Sequence, residues 1–322
     1  MVDLPVGNKN KESLIKAALF VLRPVHWVKN LSLFAAILLT GKFFEPKLFT
    51  QVFWAFITFN LASSATYILN DLLDVKLDKV HPVKKLRPIA SGALPPYAAI
   101  LELITVASLA LILASGQNQL FLLMIVGYML LQLFYSIGLK NFPIIDIMII
   151  ATGFIVRVYA GAFVIDAHLS VWFLLCVVSV ALFLASGKRR AELNVLKSTN
   201  EITRTSLVRY PRELLSSYVT MFGNASWMSW SLFTFFESPK ASLPFWLVLA
   251  ELSKTTTISK LLMFTIPITI FGIMRYEALI FAGKSETPER LILTDKALIV
   301  SVALWVGVVF WVLYAGVSAT GI

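Results

Sequence analysis

Asp71, Asp74 and Asp78 fall within one run, N-D-L-L-D-V-K-L-D from Asn70 to Asp78, in an otherwise apolar stretch. On a continuous helix their spacing places the three carboxylates within about 60° of one another, so like charges crowd one stripe. A cation relieves that crowding, and hard carboxylate oxygens suit Mg2+ better than a transition metal. The run is followed by H-P-V-K-K-L-R-P-I-A-S-G, His81 to Gly92, in which Pro82, Pro88 and Gly92 stop helix formation. That break lets Lys84, Lys85 and Arg87 curl back over the acids. An acidic stripe with a basic hook suits Mg2+ and a diphosphate together. The plain alternative is a solvated charged loop after a helix.

Two further segments carry groups of the same kind. Y-S-I-G-L-K-N-F-P-I-I-D contributes Tyr135, Lys140 and Asp146, and G-K-R-R-A-E-L contributes Lys188, Arg189, Arg190 and Glu192. Asp146 and Arg157 lie about 16 Å apart along one helix and on nearly the same face, so both are expected to look into a central cavity. An arginine inside an apolar span is costly unless it is paired or wet. Substrate contact and a structural bond to helix carbonyls are both open for Arg157.

The elements that hold these groups are membrane helices. Of 322 residues, 58% are hydrophobic and only 14% charged, and the mean hydropathy of +0.81 lies outside the range of soluble domains. Apolar runs of about 20 residues fall near 27–44, 50–70, 96–115, 119–138, 143–165, 169–187, 214–236, 257–280 and 297–317. The fold class expected is an all-α polytopic bundle of about nine transmembrane helices, with no alternating strands to suggest a barrel. One transmembrane domain, 27–317, follows an amino-terminal segment, 1–26, and precedes a short tail, 318–322. The apolar stretch Ala17 to Leu22 is short and meets Arg23-Pro24, so no cleavable signal is expected. Cys176 is the only cysteine, which excludes an intrachain disulfide and assigns it to packing.

Basic residues set the expected orientation. Of the 28 Lys and Arg, 22 lie in the amino-terminal segment and the loops on its side, and five on the other. The amino terminus is therefore expected in the cytoplasm and the carboxyl terminus outside. The net charge of +10 belongs to that cytoplasmic face and favours anionic lipids and phosphorylated substrates. Nucleic acid is excluded as a partner, since no soluble domain carries the charge.

N-D-x-x-D-x-x-x-D at Asn70 to Asp78, R-P-I-A-S-G at Arg87 to Gly92, Y-x-x-x-L-K at Tyr135 to Lys140 and the nine-span layout together resemble the UbiA superfamily of intramembrane prenyltransferases. R-P-V-H-W-V-K-N at Arg23 to Asn30, G-K-R-R-A-E-L at Gly187 to Leu193, R-Y-E-A-L-I at Arg275 to Ile280 and T-P-E-R-L-I-L-T-D-K at Thr287 to Lys296 are similar to its decaprenyl-phosphate phosphoribosyltransferase branch. Prenyl-diphosphate users in the superfamily carry a second acidic pair after the sixth span. Here that position holds Lys188, Arg189 and Arg190 with Glu192 as the single acid. A site with more cations and fewer carboxylates suits a donor richer in phosphate.

The resemblance implies Mg2+-dependent transfer of a 5-phosphoribosyl group from phosphoribosyl diphosphate to a polyprenyl phosphate at the inner, cytoplasmic membrane of a bacterial-type cell. The product would belong among lipid-linked pentose (arabinose) donors for the cell envelope. On that reading Asp71 and Asp74 ligate Mg2+, with Asp78 as a third ligand and Asn70 orienting them. Lys84, Lys85 and Arg87 hold the diphosphate or the 5-phosphate, and Tyr135, Lys140, Lys188 and Arg189 complete the anion pocket. Lys29 and Asn30, beside the interfacial anchor Trp27, receive the lipid phosphate, and Asp146 and Arg157 line the cavity. Membrane lipids are further partners, and the oligomeric state stays open between monomer and homo-oligomer. A prenyltransferase moving an isoprenoid from its diphosphate to an aromatic acceptor is the alternative. A transporter is the remote one, disfavoured because the acids cluster at one mouth.

Overall fold

The computed structural model describes residues 7–81, 84–199, 209–237, 256–283, 291 and 294–315, and among these there is helix and no strand. The carboxyl-terminal tail and much of the Thr287 to Lys296 motif lie outside the described residues. The first helices are α1 (Gly7–Val21), a 3-10 segment (Pro24–Phe34), α2 (Ala35–Leu39), α3 (Pro46–Leu73) and α4 (Val75–Val80). Then come α5 (Pro96–Ser115), α6 (Gln119–Ile137), α7 (Ile145–Val164), α8 (Val171–Thr199), α9 (Arg212–Phe236), a second 3-10 segment (Thr256–Thr265), α10 (Ile266–Phe281) and α11 (Lys296–Tyr314).

Seven helices among the described residues are long and apolar enough to cross a membrane. The two expected spans outside that set have identifiable features. Around 27–44 the chain forms the 3-10 segment and the five-residue α2, in place of one continuous helix. At 214–236 stands α9, a 25-residue helix whose Arg212, Glu213, Asn224 and several serines lower its hydropathy. The basic segment after the sixth span is not a loop. G-K-R-R-A-E-L continues α8, because Lys, Arg, Ala, Glu and Leu are all good helix formers.

Small residues set how closely the helices pack. Ala55, Ala62 and Ala65 on α3 and Ala99, Ala110 and Ala114 on α5 are buried, which suits the close approach of these two helices. Gly161 on α7 faces the 3-10 segment so tightly that a Cβ there would stand 2.0 Å from the Leu33 carbonyl oxygen. This crossing draws the 3-10 segment into the bundle, where Leu33, Ile37, Phe59, Phe121, Ile125 and Tyr128 form one core. A second core joins Phe173, Trp230, Phe233, Leu262 and Val309 from the later helices.

Candidate active site

The acid run does not stay on one helix. α3 ends at Leu73, Asp74 stands at the junction with φ −91° and ψ 4°, and α4 starts at Val75. The break divides the three carboxylates into two settings. Asp71 and Asp78, both buried, converge on Arg87, whose Nη1 donates to Asp71 Oδ1 at 2.9 Å and to Asp78 Oδ2 at 2.6 Å. Asp74 instead accepts from Lys140 Nζ on both oxygens, at 2.6 and 2.7 Å. The expected single stripe is thus a pair plus one.

Asp71 and Asp74 sit at the carboxyl end of α3, where the helix dipole disfavours anions. Cations from three other segments compensate for that placement. Besides Arg87 and Lys140, Arg23 Nη2 donates to both oxygens of Asp71, at 2.5 and 2.7 Å. Its guanidinium also lies over the ring of Tyr67, 5.1 Å from the centroid. Tyr67 is one helical turn before Asp71, so the two form a single receptor on one face of α3.

The basic hook folds back as its breakers suggest. Gly92 adopts φ +81°, a conformation open to glycine, and the Ser91 and Leu94 amides donate to the Arg87 and Pro88 carbonyls. Arg87 reaches the acids, Lys84 lies near enough to Asp78 to act on its charge, and Lys85 is exposed to solvent. Burial pushes the Asp78 carboxyl above the ordinary carboxylate range, against the opposing pull of Arg87. Asn70 Oδ1 accepts from Ser136 on α6, which ties the acid end of α3 to the Tyr135–Lys140 turn.

His26 marks a concentration of positive charge. Its ring lies tilted against that of Tyr67, with centroids 5.3 Å apart, and the charges of Lys29, Arg23, Lys188 and Arg87 all act on it. Four basic side chains from the 3-10 segment and its entry, the hook and α8 therefore converge around its imidazole. Such a cluster attracts an anion.

Five expected site residues, Asn30, Tyr135, Asp146, Arg157 and Arg189, are engaged with one another or with the surrounding helices. Asn30 is fully buried and uses its whole amide, donating to Asn60 Oδ1 at 2.6 Å and Ser63 Oγ at 3.2 Å and accepting from Arg157 Nε at 2.5 Å. Arg157 also donates to the Gly153 carbonyl and to Tyr128 Oη, and packs over the rings of Phe59, Tyr128 and Phe154. Both are buried, with the amide of Asn30 and three of the five N–H groups of Arg157 bonded within the protein. Arg189 is also fully buried. It pairs with Asp146 Oδ2 at 2.6 Å, bonds Glu192, and donates to Tyr135 Oη at 2.7 Å. Asp146 accepts from Tyr210 Oη at 2.8 Å, and that oxygen accepts from the Ile144 amide. Arg190 turns away to Ser216 and Asn194, and Trp27, expected as an interfacial anchor, donates to Ser64 Oγ on α3.

Sequence reasoning missed Arg23, His26 and Tyr210 as site residues. The Arg-Pro pair opening a broken first span was a usable signal for Arg23, since a cation entering an apolar core needs a buried acid. No comparable signal marked Tyr210. Among the described residues, no group of three or more His, Cys, Asp and Glu gathers as a metal cage. Two carboxylates aimed at one cation nonetheless fit Mg2+, which is typically held by one or two carboxylates while phosphate and water supply its remaining ligands.

The UbiA prenyltransferase family matches residues 31–266. The chain belongs to that family. A decaprenyl-phosphate phosphoribosyltransferase of Corynebacterium glutamicum is 35% identical over 94% of this chain and 87% of its own length. Another, from Mycolicibacterium smegmatis, is 33% identical over 94% of both. The fold is shared with a UbiA homologue from Archaeoglobus fulgidus solved with GPP and Mg2+, at a TM-score of 0.64 and 18% identity, covering 92% of this chain and 99% of that one. UbiA membership accounts for the apolar helices.

Proposed function

We propose that the chain transfers a 5-phosphoribosyl group from phosphoribosyl diphosphate to a polyprenyl phosphate, releasing diphosphate. It is a transferase. The observation that carries the reading is the cation excess at the mouth: Arg23, Arg87 and Lys140 pair with Asp71, Asp74 and Asp78, and Lys29 and Lys188 join Arg23 and Arg87 around His26. A donor bearing a 5-phosphate as well as a diphosphate matches that excess. The names of the relatives, whose lengths the chain nearly spans, point the same way.

The lipid phosphate oxygen attacks C1 of the ribose, the C1–O bond to diphosphate breaks, and the diphosphate leaves with the bonding electrons. A phosphate monoester is anionic near neutral pH, so the nucleophile requires no strong base, in keeping with a chain of three histidines. Asp71 and Asp78 would hold Mg2+, and when bound it supplies positive charge to the departing diphosphate. Arg87 and Arg23 bind diphosphate oxygens, Lys140 holds Asp74 in place, and Lys29 and Lys188 with His26 receive the second anion. Alignment and charge neutralisation then carry the rate. The isoprenoid has a place below this mouth: an apolar cavity of about 260 Å³ is lined by Thr66, Leu69, Leu103, Met129, Leu130 and Leu133, among others.

We read the 3-10 segment with α2, and α9, as two further crossings beside the seven. Nine crossings put the two termini on opposite sides, and the basic residues favour the amino terminus in the cytoplasm. The mouth then opens to the cytoplasm at the inner membrane, where the product would feed lipid-linked pentose synthesis for the envelope. The test supplies purified enzyme and Mg2+ with each donor and acceptor pair in parallel. Diphosphate release with phosphoribosyl diphosphate and polyprenyl phosphate is expected. Release only with a prenyl diphosphate and an aromatic acceptor overturns the reading.

A further inference from the structure

Asp71 is asked to serve two cations at once. Both of its oxygens lie on Arg23 Nη2, at 2.5 and 2.7 Å, and Oδ1 also accepts from Arg87 at 2.9 Å. A divalent ion at the same carboxylate would meet two guanidinium groups within a few ångström. Like charges that close repel by several kcal/mol even at a protein-surface dielectric. Either the metal is excluded or a guanidinium leaves.

Arg23 is the one built to leave. It bonds a single carboxylate, and it opens the 3-10 segment from the left-handed region, with φ 53° and ψ 61°. Its guanidinium is held there by the Asp71 pair and by the ring of Tyr67. Arg87, in contrast, is fixed between two carboxylates.

We propose that Arg23 is a positioning residue that competes with Mg2+ for Asp71 and is drawn off by the donor's diphosphate, so that metal and diphosphate bind only together. A guanidinium bonds phosphate oxygens in the same forked geometry as carboxylate oxygens, so the exchange loses little. Metal on the carboxylate and arginine on the phosphate is the arrangement with every charge opposed. This inference rests on the proposed Mg2+ site at Asp71. By reciprocity, diphosphate must raise metal affinity by the same factor that metal raises diphosphate affinity, on the order of 5–150-fold.

Mn2+ titrations of the full-length protein in lipid nanodiscs, followed by the paramagnetic resonance of free Mn2+ with or without inorganic diphosphate, and corrected by the same titration on empty nanodiscs for Mn2+ that diphosphate holds in solution, test it without turnover. Wild type is expected to bind Mn2+ weakly alone and at least about fivefold more tightly with saturating diphosphate. Arg23→Gln is expected to bind Mn2+ alone several-fold more tightly than wild type and to gain less from diphosphate, while Arg23→Lys retains the wild-type pattern. Equal wild-type affinity with and without diphosphate overturns the exchange and requires no variant to fold. Unaltered binding in Arg23→Gln, with binding lost in Asp71→Asn, also overturns it but keeps the metal site. Unaltered binding in Asp71→Asn removes the metal site itself.

Discussion

The molecule holds two arginine clusters that differ in what they are bonded to. At the mouth, Arg23 and Arg87 keep 20% and 24% of their side chains exposed and pair with carboxylates. In the core, Arg157 is 4% exposed and is satisfied by an amide, a carbonyl and a phenol, with three rings around it. The first set of bonds can be exchanged for phosphate oxygens of like geometry. Breaking the second set instead orphans buried polar groups. On the proposed function, the exchangeable set is the one that meets substrate.

The comparison can be broken from either side. The largest effect is expected for Asp71→Asn, which should lower transfer per mole of folded protein by about 100–1,000-fold or more, measured as diphosphate release in membranes. Arg87→Gln is next: truncating one partner of a bonded charge cluster costs about 2–5 kcal/mol, or roughly 30-fold and upward in kcat/KM. Steady-state kinetics against phosphoribosyl diphosphate measure it. Arg157→Met should behave in the opposite way, losing about 1–3 kcal/mol of stability by leaving Asn30 and Tyr128 unpartnered. Its transfer per folded molecule should stay within about threefold of wild type, a shift under 1 kcal/mol. Lost transfer at unchanged thermal stability would make Arg157 a substrate group and end the contrast.

The smallest effect belongs to a pair outside both clusters. Asp295 caps α11 and accepts from Arg275 on α10, and these bonds hold its pKa down to about 2. A carboxyl depressed on folding contributes stability above its unfolded pKa and loses it as pH falls toward its folded one. The melting-temperature gap between wild type and Asp295→Ala should thus be slight at neutral pH and close as pH drops from about 4 toward about 2. A gap that widens on acidification contradicts the sign.

Much of this was legible in the run of residues. Apolar lengths located most of the spans, though 27–44 is not one continuous helix and α8 runs on to Thr199 past the expected 187, and the Pro and Gly breakers after the acid stripe announced the returning Arg87. Three things were not legible. The break at Asp74 was hidden because V-K-L-D-K-V is itself helix-compatible, so Asp74 was grouped with Asp71 when only Asp78 shares its cation. Arg189 reads like Lys188 in sequence, yet side chains one residue apart on a helix point about 100° apart. One joins the charges around His26 and the other is sealed against Asp146. The fate of Asn30 depended on a tertiary crossing, Gly161 against Leu33, that no local pattern encodes.

The central claim is that the mouth at Asp71 and Arg87 moves phosphoribose onto a lipid phosphate. Its most direct measurement is label in the lipid phase after purified enzyme meets Mg2+, ribose-labelled phosphoribosyl diphosphate and polyprenyl phosphate. The account predicts Mg2+-dependent lipid labelling that Asp71→Asn and Arg87→Gln abolish or sharply reduce and Arg157→Met largely keeps. Unlabelled lipid with folded wild-type enzyme, or labelling that survives Asp71→Asn undiminished, would contradict it.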